Sequence, residues 1–435
     1  MSYDIVIGRD ATDKEKFGNR GLIYLGKGYV KMGTYTSLSN KLWMDIARSH
    51  VVLIAGKRGS GKSYSAGVIA EELANLPSDN AKNIASLIFD TMGIFWTMKY
   101  RNEKDKALLS SWELETKLLP VKVFVPFGKI DEYQKKMIPF DKTFALKVSE
   151  LQAEDWITLF NLEFTSLPGV LIERTITALQ EKGSYTIKDI ENSIINDSKA
   201  SDLAKEIVYG LFSAASTWGI FSNTREGTEV SELLTGGTTT VLDISIYSSS
   251  SAFNIRALVI SLLSRKIFAN RMDARKQEEM EAIHHGQEYL SYAGRRKEPL
   301  AWIFIDEAHE FLPKNTKTPA SDALMQLLRE GRQPGISLVL ATQQPGQIHR
   351  DVMSQSDIII SHRVTSKPDV EALNEIMQTY LLESIKQQMD DLPTLKGSAI
   401  ILDDNSERIY PMRIRPRFTW HGGEAPISIK AEIKI

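Results

Sequence analysis

The eight residues GKRGSGKS, Gly56 to Ser63, constrain this chain more than any other feature because of what flanks them. VVLIA at 51–55 is a continuous apolar run of strand length, and SYSAGVIAEELANL afterwards carries apolar residues at helical spacing. A buried strand that breaks at a glycine loop and continues as a helix is the repeating unit of a parallel sheet. Within that unit the pattern GxxxxGK[ST] makes a cradle for phosphate. Its glycines let backbone amides turn inward as an anion nest, and the helix N-terminus adds partial positive charge. The residues expected at the nucleotide are Gly56, Lys57, Arg58, Gly59, Ser60, Gly61, Lys62 and Ser63, with Tyr64 following. Lys62 is placed to reach the β and γ phosphates and Ser63 to ligate magnesium, so ATP and Mg2+ are the expected ligands.

Further apolar runs extend the sheet. ASLIFD at 85–90, VKVFVPF at 121–127, TTTVLDIS at 238–245, AWIFIDE at 301–307, GISLVLAT at 335–342 and DIIISHR at 357–363 alternate with helical stretches, as in a doubly wound α/β sheet. Residues 397–415 read as a closing hairpin with an Asp-Asp-Asn turn, and 1–50 as short strands punctuated by glycines at 21, 26, 28 and 33. From about 140 to 220 the pattern becomes four helices inserted into the sheet. Ser149 and Gln152 suggest a capping box, Pro168 and the pair Thr186 and Asp189 suggest two further starts, and Leu203, Ile207, Val208, Leu211 and Phe212 suggest one packed face. The expected division is a β segment at 1–48, a first core part at 49–135, a helical insertion at 136–235, a second core part at 236–415 and a tail at 416–435.

The second chemical site is LAWIFIDEAHEFLP, whose strand delivers Asp306 to the sheet edge facing the phosphate loop. Asp306 is expected to hold the magnesium shell and Glu307 to polarise the attacking water as general base; alone, two such acids could equally cap a helix. Gln343, the first residue after the strand GISLVLAT, is placed to sense a γ-phosphate. Arg332, in LLREGRQPG, suits an arginine finger acting across subunits, the alternative being a surface pair with Glu330. Asp90 could support magnesium or water, or merely cap the DTMGIF turn. The basic stretches at 265–276 and 294–297 could face a nucleic-acid backbone, or be a solvated helix face. The seven histidines lack metal-ligand spacing.

Net charge is only -2, so nucleic-acid binding would rest on local patches or on a basic ring formed by assembly. The absence of cysteine excludes disulfides, thiolate ligands and cysteine nucleophiles. No apolar run approaches the ~20 residues of a membrane helix, and the chain is read as cytoplasmic.

GKRGSGKSYS, the strand ending DEAHEFLP, and REGRQPGISLVLATQQP followed by QSDIIISHR, in this order, resemble the HerA branch of the HerA and FtsK ATPases. The resemblance covers residues 49 to about 415 and implies a RecA-like P-loop NTPase core. It also implies a homo-hexameric, ATP-driven motor on double-stranded DNA, a translocase or helicase, working beside a nuclease of the NurA kind or another effector in end processing or phage defence. Carried onto this sequence, the functional positions are Lys62, Ser63, Asp306, Glu307, Gln343 and Arg332 as the trans finger. A secretion or pilus motor moving protein, or an ATP-switched scaffold of a defence complex, are the alternatives. Two-lobed superfamily 2 helicases share the letters DEAH, but 244 residues between Lys62 and Asp306 argue against them.

Overall fold

The computed structural model describes residues 4–32, 35–248, 253–285, 296–377, 389 and 391–424. Among these residues thirteen strands form: β1 (Ile5–Ile7), β2 (Leu22–Met32), β3 (Tyr35–Asp45), β4 (Val51–Ala55), β5 (Ile84–Asp90), β6 (Val121–Pro126), β7 (Lys142–Phe144), β8 (Thr239–Asp243), β9 (Leu300–Ile305), β10 (Ile336–Thr342), β11 (Ile358–Ser361), β12 (Ser398–Asp403) and β13 (Arg408–Ile414). They form one sheet in the order β1-β3-β2-β13-β12-β11-β4-β10-β9-β5-β8-β6-β7. From β11 to β7 every neighbouring pair is parallel. Strands β12, β13, β2 and β3 add antiparallel neighbours on the other side. The expected α/β, mostly parallel sheet is therefore present, extended by a flank that recruits the N-terminal hairpin.

The parallel strands are apolar throughout because both faces are covered. On β4, Leu53 and Ala55 face one core with the inserted helices, while Val52 and Ile54 face the other with helix α2 (Lys62–Ala74). An earlier helix, α1 (Ala11–Phe17), capped by Asp10, interrupts the region expected to hold only strands and turns. Gly26 belongs to β2 rather than to a turn: a Cβ there would lie 2.1 Å from the Arg413 carbonyl, so β13 approaches too closely for any side chain. Gly33 lies outside the described residues.

The inserted helices span Ala153–Leu159, Leu167–Gln180, Ile187–Ile195 and Asp202–Ser216. The first is opened by a capping box of Gln152 and Asp155, not Ser149 and Gln152; Ser149 lies in a short 3-10 turn. Thr186 and Asp189 do form a capping box, and Pro168 sits in the first turn of its helix. The last helix buries Ala204, Val208, Phe212 and Ala215, leaving Leu203 and Ile207 exposed. Trp156 anchors this unit, with its ring 4.8 Å from Phe212 and 5.0 Å from Phe221.

The segment expected to be a tail packs into the core as far as it is described. Arg415 and Arg417 are buried and converge on Glu71 of α2, which also accepts hydrogen bonds from the Phe418 and Thr419 amides, both at 2.9 Å. Residues 425–435 lie outside the described residues.

Candidate nucleotide site

Strand β4 runs between β11 and β10, and its C-terminal end releases the glycine loop at the point in the sheet where ligands collect in such folds. Positive φ values at Gly59 (74°) and Gly61 (113°) turn the loop into α2. Lys57 and Arg58 are exposed, Ser60 and Gly61 half-buried. Lys62 is buried, and its Nζ donates to the Lys57 carbonyl at 3.3 Å. Burial pushes the Lys62 ammonium down, against the opposing pull of Glu307 and Asp306. Tyr64 accepts a hydrogen bond from the Arg417 amide at 2.7 Å, which ties the start of α2 to the C-terminal segment.

Strand β9 brings Asp306 to this loop, where it accepts the Ser63 hydroxyl at 2.6 Å. Asp306 is raised by burial, against hydrogen bonds from Ser63 and from the Glu307 amide. Glu307 stands in the left-handed region (φ 50°, ψ 44°), rare for a glutamate, and so turns out of the strand end. Burial and the neighbouring Asp306 carboxylate push its carboxyl up to about 7, and its Oε2 is buried without a hydrogen-bond partner. His309 lies beside it, Nδ1 being 3.5 Å from that oxygen and 3.2 Å from the Thr342 hydroxyl. Two desolvated carboxylates and one hydroxyl beside a single buried lysine form an all-oxygen site short of positive charge, which fits a hard divalent cation. Among the described residues no separate cluster of histidine and acid side chains suits a metal.

Of the other expected residues, Gln343 reaches this group through its backbone amide, which donates to the Glu307 carboxyl. Gln343 is half-buried directly after β10, and Gln344 is exposed. Arg332 is exposed and makes no side-chain hydrogen bond or ion pair among the described residues; Glu330, its expected partner, accepts from Gln326 at 3.3 Å. Arg329 pairs with Asp351 at 2.8 Å. Asp90 is a cap: one carboxylate oxygen accepts the Met92, Gly93 and Ile94 amides and the other the Phe95 amide, which occupies it within the DTMGIF turn. The basic face at 265–276 is largely engaged, with Arg265 on Asp155, Lys266 on Glu150 and buried Arg271 beside Glu278. In the second basic stretch Arg296 pairs with Glu278, and residues 294 and 295 lie outside the described residues.

Residues that sequence reasoning passed over complete the loop's surroundings. His362 follows β11, fully buried, with Nε2 2.8 Å from the Ser65 hydroxyl. The signal for it was a histidine one serine beyond the apolar run Ile358–Ile360. Glu71, fully buried in the middle of α2, gave the corresponding signal for the C-terminal clamp.

Residues 30–267 match the family model described as Helicase HerA, central domain, and residues 252–367 match that of the zonular occludens toxin (Zot). Among curated proteins the chain is 28% identical over 148 residues to the DNA double-strand break repair helicase HerA of Pyrococcus furiosus, covering 32% of this chain and 24% of that protein. It is 23% identical over 392 residues to the HerA of Saccharolobus solfataricus, covering 88% of this chain and 66% of that one. The alignments thus span about a quarter of the first relative and about two thirds of the second. VirB4 of Thermoanaerobacter pseudethanolicus shares the fold at 11% identity and a TM-score of 0.55, over 92% of this chain and 98% of that one. No helix among the described residues is long and apolar enough to cross a membrane. With the HerA central-domain model matching more than half of its 435 residues, the phosphate loop among them, the chain belongs to the HerA helicase family of P-loop ATPases.

Proposed function

We propose that this chain is the motor subunit of a double-stranded DNA translocase that hydrolyses ATP as a homo-hexameric ring. The observation that carries the reading is the meeting of Ser63 and Asp306 at 2.6 Å beside buried Lys62, with Glu307 turned out of the strand end next to them. In this reading the loop amides and Lys62 hold the β and γ phosphates, and Ser63 and Asp306 hold magnesium, which supplies charge neutralisation on those phosphates. Glu307 takes a proton from the attacking water, a task suited by a carboxyl whose affinity for protons burial has raised towards neutrality. Gln343 senses the γ-phosphate from the end of β10. Arg332, exposed and unengaged, reaches the phosphate of a neighbouring subunit.

Two curated HerA relatives are DNA double-strand break repair helicases by name, which supports duplex DNA as the track; the partner in this reading is a nuclease of the NurA kind, or another effector in end processing or phage defence. The test is the steady-state ATPase rate with and without linear duplex DNA, with ring formation followed by mass photometry. A hexamer whose rate rises several-fold with DNA is expected. A rate indifferent to DNA would instead favour a protein-moving motor or an ATP-switched scaffold.

A further inference from the structure

The phosphate loop rests on a histidine. His362 leaves β11 with its amide donating to the Ala55 carbonyl at 2.8 Å, so its backbone continues the pairing of β11 with β4 right up to the loop. Its Nδ1 lies 3.1 Å from the Ser398 carbonyl and its Nε2 2.8 Å from the Ser65 hydroxyl. A carbonyl only accepts, so the hydrogen-bond pattern assigns the proton to Nδ1, leaving Nε2 bare to accept from Ser65. Burial, and to a lesser degree Lys62, hold the imidazole down at about 4, so it stays neutral in that tautomer at ordinary pH. The side chain also lies close beneath the loop's glycines. A Cβ added at Gly56 would lie 2.7 Å from the His362 Cβ, and one at Gly61 3.5 Å from its Cε1. One residue on, the Arg363 carbonyl accepts the Lys57 amide at 3.0 Å.

We propose that His362 is a positioning residue for nucleotide: it braces the phosphate loop from below through Ser65, Gly56 and Gly61, and ties the loop's shape to the strand β12 through the Ser398 carbonyl. The inference rests on the ATPase reading for its functional consequence, though not for its structural one. Passive packing would require only that the ring fill space; a brace requires both of its hydrogen bonds.

The experiment compares wild type with Ser65→Ala, His362→Asn and the double variant, using amide hydrogen exchange of the nucleotide-free protein and ATP turnover. Ser65→Ala is expected to speed exchange at residues 57–63 about tenfold, the effect of losing one buried hydrogen bond, and His362→Asn, which removes both bonds of the ring, at least as much, while amides of β5 and β9 keep their protection. KM for ATP should rise about tenfold with kcat at saturation within about twofold, because the reacting groups are untouched. The double variant should be no worse than His362→Asn, since both changes cut the same link. Wild-type exchange at the loop in folded Ser65→Ala would overturn the brace, as would additive effects in the double variant or a loss of protection spread evenly over the sheet. If wild type itself neither binds nor turns over ATP, the ATPase reading fails, and the exchange comparison alone then decides whether His362 braces the loop. Should His362→Asn not fold, Ser65→Ala carries the test.

Discussion

Glu307 holds a backbone conformation that glycine or asparagine adopts more readily, and it keeps one carboxylate oxygen buried without a hydrogen bond. Both features cost stability, on the order of 1–3 kcal/mol for the backbone alone. Glu307→Gly is therefore expected to raise the urea midpoint while abolishing turnover, and Glu307→Gln to bind ATP normally but lower kcat about 10²–10⁴-fold. Nucleotide titration beside a turnover assay checks both, and wild-type turnover in Glu307→Gln would remove it as the base. A second residue sets a pH dependence of stability. His50 is fully buried; burial pulls its imidazole down, but hydrogen bonds to Asp357 at 2.6 Å and Asp45 at 3.2 Å outweigh that and raise it from 6.5 to about 9. Because the folded value exceeds the unfolded one, the stabilisation is complete below about 6.5 and is lost as pH rises through about 9. Urea midpoints should fall across that window, and His50→Gln should flatten the fall. At this scale Lys62, Ser63, Asp306 and Glu307 were legible because each belongs to a local pattern after an apolar strand. His362 and His50 were not, since Ser65 stands 297 residues from the one and Asp357 307 residues from the other.

Among the elements, strands were easier to read than helix faces. A continuous apolar run bounded by glycine or a charge leaves little choice, and β4, β5, β9, β10 and β11 lie where such runs stand. In the helix Asp202–Ser216, by contrast, two overlapping stripes satisfy a spacing of three or four residues. The larger side chains at 203 and 207 pointed to one, and the neighbouring inserted helices chose the stripe of Ala204, Val208, Phe212 and Ala215. Helix α2 shows how tertiary contact overrides propensity. Gly67 sits in its interior, where alanine would ordinarily gain about 1 kcal/mol. A Cβ there would lie 2.5 Å from the Arg417 guanidinium, which Glu71 holds in place at 3.0 Å. Gly67→Ala is thus expected to destabilise, by at least ~1 kcal/mol in a urea melt. Glu71→Ala, which strands buried Arg417 and leaves Arg415 with Glu72 alone as its carboxylate partner, should cost about 3–5 kcal/mol. A neutral or stabilising Gly67→Ala would show that Arg417 can move aside.

At the scale of the whole molecule the parallel half of the sheet was legible, and its antiparallel flank only in pieces. The hairpin of β12 and β13 and the glycine-punctuated strands near the N-terminus could each be seen, but nothing local says that β2 pairs with β13 through a glycine matched to the Arg413 carbonyl. Assembly lies at the same scale. Arg332→Ala is expected to form rings and bind ATP yet turn over at least about tenfold more slowly. Mixing it with Lys62→Ala should restore part of the rate, because some junctions then carry an intact lysine facing an intact arginine. No recovery at any mixing ratio would count against action in trans.

The clamp on Glu71 has a consequence for how the protein is made. Arg415 meets a glutamate 344 residues earlier in the chain, and the Gly8 amide meets Asp403 across 395. At roughly 5–20 residues per second a ribosome takes on the order of 20–70 s to travel from Glu71 to its partner. Throughout that interval the helix behind the phosphate loop carries a carboxylate with no counter-charge, and the first strands have no sheet edge to join. The nucleotide site is thus among the last parts of the molecule to mature during synthesis, although its signature is among the first to be translated.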